Sequence, residues 1–241
     1  MAAADGNPDG RWTARHQRPR IVLFDLDGTL SDSARGILAS LRHAFDVNGL
    51  TPLDPQVERA LLGPPFYESL PPLIGTAVLG DVIRAYREHY GAIGMFDTQP
   101  YEGMREVLDA LRRRGAVLAV ATSKPEPYAV PIVEFLGIAD RFATVGGDEL
   151  DGSLPTKALV IDKVLGRLGR PDPAEVLMVG DRVHDIDGAR EHGIDAVGAG
   201  WGYAVPGELD AAAPALVCAT PAALGRALDL DIAAAPNRTS S

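Results

Sequence analysis

Apolar residues fall along this chain in two alternating rhythms. Residues 21–26, 116–121 and 175–179 are short runs apolar at nearly every position, which predicts strands covered on both faces of a parallel sheet. Weaker runs at 142–145, 196–199 and 216–218 predict three more. Between them, Met104, Val107, Leu108 and Leu111 recur at helical spacing, with Arg112, Arg113 and Arg114 at the end where cations suit the helix dipole. Val160, Ile161, Val164, Leu165 and Leu168 make a second stripe. Strand and helix in repetition predict an α/β fold with a doubly wound parallel sheet.

The rhythm fails over residues 31–97. Only helical patterns occur there: Ile37, Leu38, Leu41, Ala44 and Phe45 share one face, and residues 82–90 suggest another helix. Pro52, Pro55, Gly63-Pro64-Pro65 and Pro71-Pro72 interrupt them. One crossover between neighbouring strands does not need so long a connection. The pattern predicts a helical subdomain at 31–97 inserted into a core of 20–30 and 98–231, with tails at 1–19 and 232–241.

Composition narrows the setting. The chain has 241 residues, a net charge of −10 and 46% hydrophobic residues, which excludes a general nucleic-acid or anionic-membrane surface. No apolar run has the length of a membrane span, and the N-terminus has four Arg but no apolar signal core. The single cysteine, Cys218, forms no internal disulfide, reads as a small core residue, and suits a reducing cytoplasm. The protein is expected to be a monomer or homodimer. Of 23 basic residues only Lys124, Lys157 and Lys163 are lysines.

Ligand sites in open α/β sheets lie beyond the carboxyl ends of the strands. The first strand ends in Asp25-Leu26-Asp27-Gly28-Thr29, the second in Thr122-Ser123-Lys124 and the fourth in Gly180-Asp181-Arg182, with Asp185 opening the next helix. Four carboxylates at one edge repel unless a cation neutralises them. An oxygen-only donor set without paired His or Cys points to Mg²⁺.

These residues resemble the four motifs of the haloacid-dehalogenase superfamily. Phe24-Asp25-Leu26-Asp27-Gly28-Thr29-Leu30 is similar to its first motif, Thr122 within Val120–Lys124 to its second and Lys157 to its third. Gly180-Asp181-Arg182-Val183-His184-Asp185 is similar to its fourth. The helical insert lies where phosphoglycolate-phosphatase-like members carry a cap, and Tyr101-Glu102-Gly103 and Trp201-Gly202-Tyr203 also resemble that group. Gly63-Pro64-Pro65 resembles a loop of nucleotidase-like members. The resemblance spans roughly residues 20–230 and implies a Rossmann-like core and a Mg²⁺-dependent phosphatase acting on a small phosphorylated substrate, the alternatives being a phosphomutase or kinase-like transferase, tyrosine included, and a non-catalytic binding module.

It also implies roles. Asp25 would attack phosphorus, and Asp27 would serve first as acid and then as base. Leu26, Gly28, Thr122, Ser123 and Lys157 would bind phosphate, with Gly28 permitting a turn that exposes backbone N–H groups. Mg²⁺ would sit among Asp25, the Asp27 carbonyl and Asp181, with Asp185 as direct or supporting ligand. Asp27 separates the chain from dehalogenases, which need no acid for a halide. Thr29 and a cap without Lys favour phosphatase over phosphomutase. Plainer alternatives stand beside these roles: Thr122 as a helix cap, Asp185 as a carboxylate favoured by the helix dipole, and Lys163 as a solvated charge. Phe66, Tyr67 and Arg35 suit either substrate selection or cap packing and exposed charge, and His184 and Trp201 suit structural roles.

Overall fold

The computed structural model describes residues 11–64, 66–150 and 153–232. Six parallel strands form one sheet: β1 (Ile21–Phe24), β4 (Val117–Pro125), β5 (Thr144–Asp148), β6 (Val176–Gly180), β7 (Asp195–Ala199) and β8 (Leu216–Cys218), in the order β5-β4-β1-β6-β7-β8. Counted within the sheet this is the 3-2-1-4-5-6 order of a doubly wound fold, with its switch point between β1 and β6. All four residues of β1 are buried, and Ile21 pairs with Val117 on one side and Val176 on the other.

Alternation along the strands sends their side chains into two cores. Val22, Phe24, Leu118, Val120, Leu177 and Val179 face one cluster, which is closed by α6 (Met104–Arg113), α7 (Glu126–Phe135) and α11 (Pro221–Ala227). Ile21, Leu23, Ala119, Ala121, Val176 and Met178 face the other, closed by α8 (Lys157–Arg167), α9 (Val183–Glu191) and α10 (Glu208–Ala212). The sheet is therefore covered on both faces, as its apolar runs require. Cys218 is buried, and burial pushes its thiol up to about 12.

Between β1 and β4 the chain forms α1 (Ala34–Val47), α2 (Pro55–Ala60), α3 (Phe66–Ser69), α4 (Pro71–Ile74) and α5 (Leu79–Ala92). Leu41, Ala44, Phe45, Leu61, Leu70 and Val82 give these helices a small core of their own. Two short strands, β2 (Ser31–Asp32) and β3 (Gln99–Pro100), pair antiparallel, so the outgoing and returning connections run side by side. Gly36 lets α1 approach the returning chain, since a Cβ there would lie 2.0 Å from the Gly94 carbonyl oxygen.

Three features differ from the sequence pattern. Residues 11–19, expected as tail, fold back onto the core: Ala14–Gln17 is a 3-10 turn, Trp12 stacks on His16 at 4.9 Å, and His16 Nε2 lies 2.9 Å from Asp195 Oδ2. Residues 1–10, 65, 151–152 and 233–241 lie outside the described residues, and with them the rest of both expected tails and Pro65 of the Gly63-Pro64-Pro65 loop. Second, β4 runs on to Pro125 beyond the apolar stretch, with a register shift after Thr122. Third, α7 is hidden by Pro127 and Pro131, which a helix-period search reads as breaks. Among the described residues no helix is long and apolar enough to cross a membrane.

Candidate active site

Asp25 follows directly on β1, Asp181 on β6, and Asp185 lies in the first turn of α9. Carboxylate oxygens of these three buried residues lie within 4.8 Å of one another. Burial, then the charges of Asp185 and Asp25, hold the Asp181 carboxyl well above its ordinary range. Burial also raises Asp185, against the opposing pull of Lys157. Lys157, the first residue of α8, places Nζ 2.9 Å from Asp25 Oδ1, 2.7 Å from Asp185 Oδ1 and 3.1 Å from the Ala121 carbonyl oxygen. Burial works against its charge, but Asp185 and Asp25 outweigh burial and its ammonium is stabilised.

One ammonium among three carboxylates leaves the cluster under-neutralised. Asp25 Oδ1 and Asp185 Oδ1 are buried with the one shared Lys157 ammonium as their contact, at 2.9 and 2.7 Å. Buried acceptors left in this way, all oxygen, fit a hard divalent cation such as Mg²⁺. Asp185 does two things at once. Its Oδ2 accepts the Arg182 N–H at 3.0 Å, capping α9, while Oδ1 turns to the cluster. Its place in the first turn of α9, where the dipole favours a carboxylate, is thus compatible with a ligand role.

Asp27 points elsewhere. Its Oδ2 lies 2.8 Å from Lys124 Nζ, and its side chain is not part of the three-carboxylate cluster. Lys124 is buried, which alone would lower its pKa, but Asp27 and the nearby tyrosines raise it well above the usual lysine value. Gly28 has φ +80°, and a Cβ there would fall 2.2 Å from Asp181 Oδ2, so both backbone and space demand glycine. The Gly28 N–H donates to the Ser31 carbonyl at 2.9 Å, closing the turn, so it is not offered to a ligand. Leu26 is fully buried in the core, which limits any contact it makes with phosphate to its backbone.

A cleft of about 190 Å³ separates this edge from the cap and is lined by Asp25, Asp27, Thr122, Ser123, Lys157 and Asp185 on the core side. Thr122 is buried at its floor, and its Oγ1 accepts the Lys124 N–H at 3.3 Å. Phe66, Tyr67, Tyr86 and Tyr90 line the cap side, with Arg182 and His184 at the core margin. Arg35 does not line the cleft; it pairs with Asp97 beside β2 and β3. Lys163 is not simply solvated, lying 2.8 Å from Glu126 and 2.6 Å from Glu149. Trp201 donates to the Thr29 carbonyl at 3.1 Å, bracing the first loop.

Sequence reasoning placed Lys124 and Arg182 at the strand edge without giving them a role, and passed over Tyr86 and Tyr90. The scarcity of lysine was a signal for Lys124, since two of three lysines stand on carboxylates at this edge. Nothing in the local pattern marked Tyr86 and Tyr90, which fit an ordinary amphipathic helix. Arg182 donates to the Glu208 carboxylate at 2.8 Å and to the Leu62 carbonyl of the cap, tying the loop between Asp181 and Asp185 to the insert.

The sequence pattern of the family described as haloacid dehalogenase-like hydrolase matches residues 22–199. The chain is 43% identical over 187 residues to the tyrosine-protein kinase PtkA of Mycobacterium tuberculosis, covering 78% of this chain and 64% of that protein. It thus spans less than two thirds of that relative's length. It is 35% identical over 210 residues to a 5′-nucleotidase of Pseudomonas aeruginosa, covering 86% of this chain and 95% of the other. A solved haloacid dehalogenase-like hydrolase of Streptococcus pneumoniae superposes with a TM-score of 0.81 at 27% identity, over 86% of this chain and 97% of that one.

Proposed function

The chain belongs to the haloacid dehalogenase-like hydrolases, and from that premise we propose that it is a Mg²⁺-dependent phosphatase that hydrolyses a small phosphate monoester through a phospho-Asp25 intermediate. The observation that carries this reading is the buried cluster of Asp25, Asp181 and Asp185 around Lys157, with a second carboxylate, Asp27, two residues from the first.

Asp25, Asp181 and the Asp27 carbonyl, with Asp185 beside them, would hold Mg²⁺, whose charge offsets that of phosphate and nucleophile. An Asp25 carboxylate oxygen attacks phosphorus while the bond to the leaving oxygen breaks. Asp27 gives its proton to that oxygen. A water then attacks the phosphorus of the aspartyl phosphate, Asp27 takes the proton of that water, and the bond to Asp25 breaks. Thr122 donates a hydrogen bond to the transferring group, and Lys157 offsets its charge. The cap over the cleft excludes other water.

Phosphate release from a panel of monoesters, including 2-phosphoglycolate and nucleoside 5′-monophosphates, tests this with Mg²⁺ and with EDTA. Mass spectrometry of the acid-quenched enzyme should find phosphate on Asp25. Release that persists undiminished in EDTA would overturn the metal-dependent reading.

The likeness to a tyrosine-protein kinase favours a second reading, in which phospho-Asp25 passes its phosphoryl group to an acceptor other than water. Labelled phosphate on a tyrosine peptide, rather than in solution, would identify it.

A further inference from the structure

The cap side of the cleft is built from stacked rings. Phe66 meets Tyr86 edge-on at 4.7 Å, and Tyr86 lies parallel to Tyr90 at 5.4 Å. Tyr128, from the core, meets Tyr90 edge-on at 5.8 Å. Tyr90 is almost wholly buried, and its hydroxyl accepts from Lys124 Nζ at 2.8 Å. The same ammonium lies 2.8 Å from Asp27 Oδ2. One lysine therefore sets the spacing between this aromatic wall and the carboxyl group that protonates the leaving oxygen. In an in-line displacement the leaving group departs on the side of that acid. Its carbon body is thus directed towards the rings.

The charges of the cleft point the same way. Its lysines and arginines are Arg87, Lys124, Lys157 and Arg182. Lys157 is committed to Asp25 and Asp185, Lys124 to Asp27, and Arg182 to Glu208 and the Leu62 carbonyl. Arg87 holds the Tyr67 hydroxyl and, at 3.0 Å, the Leu150 carbonyl, bridging cap to core. Of these four cations only Arg87 holds no carboxylate, so a carboxylate on the leaving group would compete with the existing partners of the other three, and Asp148 in the lining would repel it.

We propose that the cleft selects monoesters whose leaving group carries an uncharged aromatic ring, such as an arylmethyl or nucleoside ester, over compact anionic ones such as 2-phosphoglycolate. The inference rests on the phosphatase reading and assigns Phe66, Tyr86 and Tyr128 as the residues that determine specificity. Rings offer an aromatic leaving group stacking and edge contacts that an aliphatic one lacks.

The test compares kcat/KM for benzyl phosphate, a nucleoside 5′-monophosphate, glycerol phosphate and 2-phosphoglycolate. Benzyl alcohol leaves much as glycerol does, so their difference reads the ring and not the chemistry of departure. The two ring-bearing esters should exceed the others by about tenfold or more. Phe66→Leu and Tyr86→Leu, each checked by thermal melt, should lower the rates for the ring-bearing esters by roughly tenfold and change glycerol phosphate by less than about threefold. A preference for 2-phosphoglycolate, or an unchanged ratio in both variants, would overturn the proposal while leaving the phosphatase reading intact. Calorimetric titration with benzylphosphonate and with a carboxylate-bearing phosphonate reads the preference without turnover. Tighter binding of the carboxylate-bearing compound would overturn it even in a protein that released no phosphate.

Discussion

Tyr203 holds Asp181 by its backbone and the cap by its side chain. Its N–H donates to Asp181 Oδ2 at 2.7 Å, while its hydroxyl donates to Asp32 Oδ1 at 3.0 Å. The hydroxyl oxygen also accepts the N–H groups of Ser33, at 2.7 Å, and Ala34, at 2.9 Å, at the start of α1. One core residue thus holds both a carboxylate of the buried cluster and the start of the insert.

Tyr203→Phe should separate those two functions. It leaves the Ser33 N–H at the start of α1 without its acceptor, while the Ala34 N–H keeps Asp32 Oδ1 at 3.3 Å, and should destabilise the protein by about 1–3 kcal/mol. The backbone contact to Asp181 survives, so the thermal shift on adding Mg²⁺ should match the parent's. Urea melts give the first quantity and thermal melts the second. A variant that lost its Mg²⁺ response would show that the side chain, not the backbone, orders Asp181.

Asp25→Asn should abolish turnover with little change in stability, since volume is kept and the nucleophile lost. Asp27→Asn should be impaired most for esters of poorly leaving alcohols, because they depend most on the acid. Steady-state rates across a series of leaving groups check this. A uniform loss for all esters would argue against Asp27 as proton donor.

Lys124→Met should be costly. It leaves Asp27 beside a buried wall without its cation, and removing one partner of a buried pair costs about 3–5 kcal/mol. The folded-state pKa of Lys124 is raised, so its contribution is complete below the unfolded value and is lost only as pH rises through the folded one. Both values lie above neutrality, so the deficit measured by urea melts should be the same at about pH 6 and about pH 8. A deficit that vanished at one of them would mean another group sets it.

The carboxylate cluster makes the Mg²⁺ effect depend on pH. Asp181 and Asp185 have folded-state values above their ordinary 3.8, so between the two values the folded chain binds more protons than the unfolded one. Their contribution to the metal-free protein therefore falls as pH rises through that window. Bound metal requires both ionised and reverses the trend. Mg²⁺ at a hundredfold excess over its dissociation constant should add roughly 2.7 kcal/mol, and its shift should grow from about pH 5 to about pH 8. Asp181→Asn should remove most of the shift. A shift independent of pH, or one retained in that variant, would place the metal elsewhere.

The sequence by itself determined the sheet and its chemistry-bearing edge. Runs such as residues 21–26, alternating with helical stripes, point to strands covered on both faces of a parallel sheet, and the residues after such a run stand at its carboxyl end. Asp25, Asp27, Thr122 and Asp181 were therefore legible, as was the helical insert, because local pattern carries that information. The hidden α7 shows the limit: tertiary packing of Ala129, Ile132 and Val133 overrides what Pro127 and Pro131 suggest locally. What the tertiary structure alone decided is which charge faces which. Lys124 and Asp27 are far apart in sequence, as are Arg182 and Leu62, and no period relates them. The rings of Phe66, Tyr86, Tyr90 and Tyr128 come from three helices in two subdomains, so only the docking of cap on core makes them one wall. Backbone periodicity is a local property and can be read along the chain. Side-chain pairing across a cleft depends on how two layers meet, and that is settled only when they pack.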